Sequence, residues 1–151
     1  MNINGMVHVN VNCSDFERSR RFYERLGYRV VVDAPDSAGP DVAKAMGMDH
    51  YKIKAALLGL EGVTTLIDLI EWKEPRDEAP PYSGLNHLGL ARIALSTSNL
   101  DADVATLKEA GVEFVSEPVR LEWPPGNESR YVCIKDPDGT VIALVQAGPV
   151  G

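Results

Sequence analysis

Val7, Val9 and Val11 alternate with His8, Asn10 and Asn12. As a strand, this segment turns three valines to one face and an imidazole with two amides to the other. Two charged residues stand inside apolar runs elsewhere. Asp68 interrupts Leu66-Ile67-Asp68-Leu69-Ile70, and Arg92 interrupts Leu90-Ala91-Arg92-Ile93-Ala94-Leu95. With a period of two, Leu66 and Ile70 share the face of Asp68, Ala94 and Ser96 share that of Arg92, and Val141 and Val145 share that of Ala143. Imidazole transfers protons near neutral pH. A guanidinium holds a carboxylate, phenolate or enolate oxygen through a two-pronged hydrogen bond, and a carboxylate beside it orients it by ion pairing. A mainly apolar pocket floored by His8, Asn10, Asp68, Arg92 and Ser96 is the ordinary make-up of a small-molecule site.

Other candidates carry less. Glu71 is an odd number of strand positions from Asp68, so it is expected to face away from such a pocket as a strand-end charge. His50 and His87 fall in or near connections, where solvated surface is the default. Trp123, in Leu121-Glu122-Trp123-Pro124-Pro125, either covers a ligand or packs at the rim. Tyr131 and Cys133 share a strand face, with Tyr131 counted among the ligand contacts. Cys13 and Cys133 read as small buried hydrophobes.

The elements that would position these residues come as a duplication. An offset of 84 lays Ala91-Arg92-Ile93-Ala94-Leu95 over Val7-His8-Val9-Asn10-Val11, and pairs Asp15 with Asn99, Phe16 with Leu100 and Gly27 with Gly111. Each copy reads as strand, cap, amphipathic helix, glycine and second strand. Ser14 or Asp15 caps the first helix, whose apolar face holds Phe16, Ser19, Phe22, Tyr23 and Leu26. Leu100, Val104, Leu107 and Ala110 form the second helix face. Gly27 and Gly111 sit where left-handed C-terminal caps belong, with second strands expected at 28–32 and 112–115. Two more strands close each copy, at 51–58 and 64–71, then at 130–135 and 140–146. Asp136-Pro137-Asp138-Gly139 suits a tight turn between the last two. An insertion at 33–50 holds a short helical stretch around 42–46.

The expected architecture is α+β, with two βαβββ modules forming a curved mixed sheet around a central pocket. The modules occupy residues 5–72 and 89–147 of one domain spanning 1–151, joined by a linker at 73–88 rich in Pro, Gly and charge. A formal net charge of -7 from 15 basic and 22 acidic residues argues against nucleic acid. No apolar run reaches the ~18 residues that span a bilayer, and the N-terminal residues lack the pattern of a signal peptide. Two cysteines give no disulfide framework, which points to the cytoplasm.

The duplication, the Asp15-Phe16-Glu17-Arg18-Ser19 and Phe22-Tyr23-Glu24 core with Leu26-Gly27, and the closing Asp136-Pro137-Asp138-Gly139-Thr140-Val141-Ile142 resemble the vicinal oxygen chelate superfamily. That superfamily includes glyoxalase I, methylmalonyl-CoA epimerase, extradiol dioxygenases, fosfomycin-modifying enzymes and bleomycin-binding resistance proteins. Metal-dependent members place one ligand on each of four strands. The resemblance maps those positions to His8, Asp68, Arg92 and Ala143. Arg92 is a permanent cation and Ala143 has no donor atom, so only His8 and Asp68 carry over as ligands. Loss of the metal is therefore expected, with no cofactor, the alternative being one divalent ion.

Together these readings point to a metal-independent lyase-, isomerase- or cyclase-type enzyme acting on a small, largely apolar oxygenated molecule. His8, Asp68 and Arg92 are its catalytic residues, and Asn10, Asn12, Leu66, Ile70, Ser96, Trp123, Tyr131 and Ala143 its ligand contacts. A protein that sequesters a drug or natural product is the first alternative, and a metal-dependent glyoxalase-like enzyme or dioxygenase the second. A competing view makes Arg92 and Asp68 a buried structural pair filling a retired metal site. The resemblance also implies a homodimer, with a small molecule as partner and neither nucleic acid nor membrane.

Overall fold

In the computed structural model, residues 1–36, 40–122 and 126–148 are described. The chain is α+β and separates into two compact units, Met1–Ala79 and Pro80–Gly151. Each is one four-stranded mixed sheet.

The first unit runs β1 (His8–Asn12), α1 (Phe16–Arg25), β2 (Arg29–Asp33), α2 (Pro40–Ala45), β3 (Lys52–Gly59) and β4 (Leu66–Glu74). Its strand order is β1-β4-β3-β2, with β1 parallel to β4 and the other pairs antiparallel. Asp15 is the cap of α1, its carboxylate accepting from the backbone N–H of Arg18 at 2.9 Å. Phe16, Ser19, Phe22 and Tyr23 are buried as their spacing demands, whereas Leu26 is only half-buried. The helix packs against β4, and alternate residues Val11, Ile67, Leu69 and Leu58 are buried. Gly27, at φ 97°, turns the chain from α1 toward β2 in a region that L side chains avoid. A bulge between Val30 and Val32 shifts the β2 register. It brings Val31 against Gly59, where an added Cβ would lie 2.9 Å from the valine methyl.

The second unit runs β5 (Ile93–Ser96), α3 (Leu100–Glu109), β6 (Val119–Glu122), β7 (Glu128–Lys135) and β8 (Val141–Gln146), in the order β5-β8-β7-β6. Asn99 caps α3 through a 3.1 Å bond from Ala102 N–H. Leu100, Val104 and Leu107 are buried, while Ala110 is the exposed C-terminal cap. The Asp136 side chain accepts from the N–H groups of Asp138 and Thr140, closing the expected turn.

Three expected strand boundaries need correction. Residues 112–115 form no strand: Phe114 makes one isolated bridge to Ile134, flanked by bonds from Val115 N–H to Cys133 and from Lys135 N–H to Glu113. Pairing with β7 resumes only at Val119, past Pro118, which lacks the N–H a ladder needs. Strand β4 continues to Glu74, three residues beyond its expected end, because Trp72 and Glu74 still pair with Ile53 and Lys52. Arg92 lies one residue ahead of β5.

Glu71 does face away from Asp68, but it is no strand-end surface charge. Only 7% exposed, it accepts from Phe16 N–H at 3.2 Å at the start of α1, and it pairs with Lys73 at 2.6 Å and Arg76 at 3.6 Å. Gln146 does the same for α3, accepting from Leu100 N–H at 2.8 Å. Burial alone would raise the Glu71 pKa, yet the bonds from Lys73 and Phe16 and the charge of Arg76 hold it below the usual 4.5. Its contribution to stability is therefore present above pH 4.5 and is lost as pH falls through its depressed value. Glu71→Ala should cost about 1–2 kcal/mol in urea unfolding at pH 7, for the lost cap and the stranded N–H. Glu71→Gln should keep the cap, and its deficit against wild type should vanish in acid.

Candidate functional site

The in-register parallel pair β1–β4 aligns His8 with Leu66, Asn10 with Asp68 and Asn12 with Ile70. These side chains share the face of the sheet opposite α1. Leu57, aligned with Asp68 on β3, joins them. Three of the sequence-derived candidates meet there. Asn10 Nδ2 donates to Asp68 Oδ2 at 3.1 Å, and His8 Nε2 stands 4.0 Å from that same oxygen. The His8 side chain is 38% exposed and that of Asp68 19%. Burial raises the Asp68 pKa above 3.8, and the opposing pull of His8 and of the Asn10 bond does not cancel it.

Trp72 lies beyond the expected end of its strand at Glu71 and is no candidate from the sequence. It lies on the Asp68 face two positions past Ile70, and its indole Nε1–H donates to Asn12 Oδ1 at 2.9 Å. Its ring is half-buried and packs at 60° to buried Tyr51, with centroids 6.0 Å apart. The period-two rule would have found it had the strand been extended past Glu71.

In the second unit, Ala94 aligns with Ala143, and Ser96 with Val145. Asp68 and Ala143 therefore occupy equivalent rungs of the two copies, with His8 and Arg92 each two residues ahead of Asn10 and Ala94. Cys133 aligns with Ala143 and Tyr131 with Val145, which places the Tyr131 and Cys133 side chains on the Ala94–Ser96 face. Arg92 and Ser96 are exposed, Tyr131 is half-buried, and Ala143 is buried, as is Ile70 in the first unit. Trp123 lies outside the described residues. His50 is exposed beside Glu74 at 3.2 Å, and His87 stacks on Tyr82 with centroids 4.6 Å apart. Both are surface groups.

The model for the Glyoxalase/Bleomycin resistance protein/Dioxygenase superfamily matches residues 5–144. The chain belongs to this superfamily. Its sequence is 29% identical over 149 residues to YwkD of Bacillus subtilis (strain 168), covering 97% of this chain and 99% of that protein. Among solved structures, a glyoxalase family protein from Bacillus cereus matches with TM-score 0.83 at 22% identity, over 99% of each chain. TnmS3, an antibiotic binding protein from Streptomyces sp. CB03234, matches with TM-score 0.67 at 25% identity, over 98% of this chain and 99% of that one.

Superfamily members that use a divalent ion raise the question of whether these residues fit one. Among the described residues no three His, Cys, Asp or Glu side chains are grouped to hold an ion. His8 and Asp68 supply two donors, short of the three or more protein ligands of ordinary zinc sites, and their counterparts Arg92 and Ala143 supply none. This donor set does not fit a resident divalent ion.

Because burial raises the Asp68 pKa, its stabilising contribution belongs to the protonated form. That contribution is complete below pH 3.8 and is lost as pH rises through the folded-state value. Asp68→Asn, which can still accept from Asn10, should therefore melt higher than wild type at pH 7, and the gain should disappear below pH 3.8. A lower melting temperature for the variant at pH 7 would show that the His8 pairing outweighs the cost of burial.

Proposed function

We propose that the chain is a metal-independent enzyme of lyase, isomerase or cyclase type, moving a proton on a small, largely apolar oxygenated molecule bound at the His8–Asp68 face. The observation that carries this reading is an imidazole 4.0 Å from a half-buried carboxylate whose pKa burial raises. Groups so arranged are suited to proton transfer. His8 exchanges the proton, and Asp68 orients the ring and offsets the positive charge that develops on it. Arg92, at the duplicated position of His8, is the cation we assign to an anionic oxygen on the second unit. Asn10, Asn12, Leu66 and Ile70 are the proposed ligand contacts of the first unit, and Ser96, Tyr131 and Ala143 those of the second. The reading includes a homodimer in the cytoplasm, the latter supported by Cys13 and Cys133 being buried thiols.

Sequestration of a natural product is the second reading. It is favoured by the 25% identity to the antibiotic binding protein TnmS3 across nearly the whole of both chains.

One measurement tests for metal catalysis, and another separates these two readings. Elemental analysis of the purified protein should find less than stoichiometric nickel, zinc, iron and manganese; one ion per chain would revive metal catalysis. Incubation with ketones and carboxylic acids in deuterated water, followed by NMR, should show deuterium entering beside a carbonyl. His8→Ala should slow that exchange about a hundredfold or more, and Arg92→Ala should weaken it also. Thermal stabilisation without exchange or product favours sequestration.

A further inference from the structure

The two asparagines of β1 carry chemical information that their spacing alone does not. Indole Nε1–H can only donate, so the oxygen of Asn12 must be the atom that meets Trp72 at 2.9 Å. An ionised carboxylate can only accept, so the nitrogen of Asn10 must be the atom that meets Asp68 at 3.1 Å. The amides are thereby fixed in opposite senses. Asn12 has its NH2 left to offer and Asn10 its carbonyl oxygen, and neither remaining group has a partner among the described residues. Both side chains are exposed. They project from the same face two residues apart, roughly 6.6 Å along the strand.

Trp72 adds a shape requirement. Its polar edge is satisfied by Asn12 and its ring is backed by Tyr51, so the indole is held in one orientation. A fixed, half-exposed indole is a stacking surface for another ring.

Resting on the reading that this face binds a small molecule, we propose its ligand class: a flat aromatic ring carrying an acceptor oxygen at one end, for Asn12, and a hydroxyl at the other, for Asn10. Trp72 recognises the ring, and the amides recognise the polarity of its substituents. The hydroxyl, directed to Asn10, lies beside Asp68 and His8, where its proton is within reach of both.

A matched set of probes tests this by NMR titration of the full chain. The set comprises para-hydroxyacetophenone, acetophenone without the hydroxyl, and the ring-saturated para-hydroxycyclohexyl methyl ketone. The first should shift the Trp72 indole N–H, identified by its loss in Trp72→Phe, and the Asn10 and Asn12 amides. It should bind about tenfold tighter than the saturated compound, and severalfold tighter than acetophenone. Trp72→Leu should abolish the preference for the flat ring. Asn12→Asp keeps an acceptor for the indole but replaces the NH2 donor with a second carboxylate oxygen, and it should lose ketone binding about tenfold while the indole N–H resonance stays in place. The proposal is overturned if Asn12→Asp binds para-hydroxyacetophenone as wild type does, or if the saturated probe binds equally well. In that outcome, a His8→Ala variant that still weakens both probes leaves the binding face standing and removes only the ligand class. If no probe moves the resonances of His8, Asn10, Asn12 or Trp72, the binding face falls as well.

Discussion

The parallel pairing of β1 with β4 is the constraint on which the site rests. Asn10 lies on the rung of Asp68 because the ladder is in register from His8 to Asn12. A slip of one residue would exchange the faces of every β1 side chain, turning His8 and both asparagines toward α1 and the valines outward. Burial of Val11 under α1 opposes that slip, as does the bond from Cys13 N–H to Ile70, which continues the ladder past the strand end. Glu71 then ties β4 to the first turn of α1, so strand and helix cannot shift independently. Hydrophobic burial on one face thus fixes the chemistry on the other.

The same scaffold appears twice with different contents. Glu71 and Gln146 accept from the leading N–H of their helices, and Gly27 and Gly111 both adopt positive φ after them. Both features serve the backbone: an acceptor for a leading helix N–H and a left-handed turn after the helix. On the open face the copies diverge: His8 and Asp68 in the first answer to Arg92 and Ala143 in the second. The family model spans both copies of the scaffold, whereas a fold by itself does not name a function. Asp68 illustrates the tension at such a face. It stands in a half-buried place where desolvation raises its pKa against the pull of His8 and Asn10.

Much was legible beforehand. Alternation of valines with His8, Asn10 and Asn12, the caps Asp15 and Asn99, and the glycines after each helix all act within a few residues, so the order of elements could be read directly. Local pattern is insufficient where a distant partner decides. Residues 112–115 have strand composition but make one bridge, because Pro118 interrupts the edge and the longer pairing with β7 forms beyond it. The strand at 64–71 stops short of Trp72 because Lys73, Glu74 and Pro75 look like loop, yet pairing with β3 carries β4 through Glu74.

Sequence alone determined the duplicated α+β plan and the face on which each β1 residue lies. These follow from local periodicity and residue type. Only the tertiary structure decided that Asn10 meets Asp68, that Asn12 meets Trp72, and that Glu71 is a buried helix cap. Each of those contacts joins residues more than fifty positions apart, and the register that selects them is set by packing across the whole sheet.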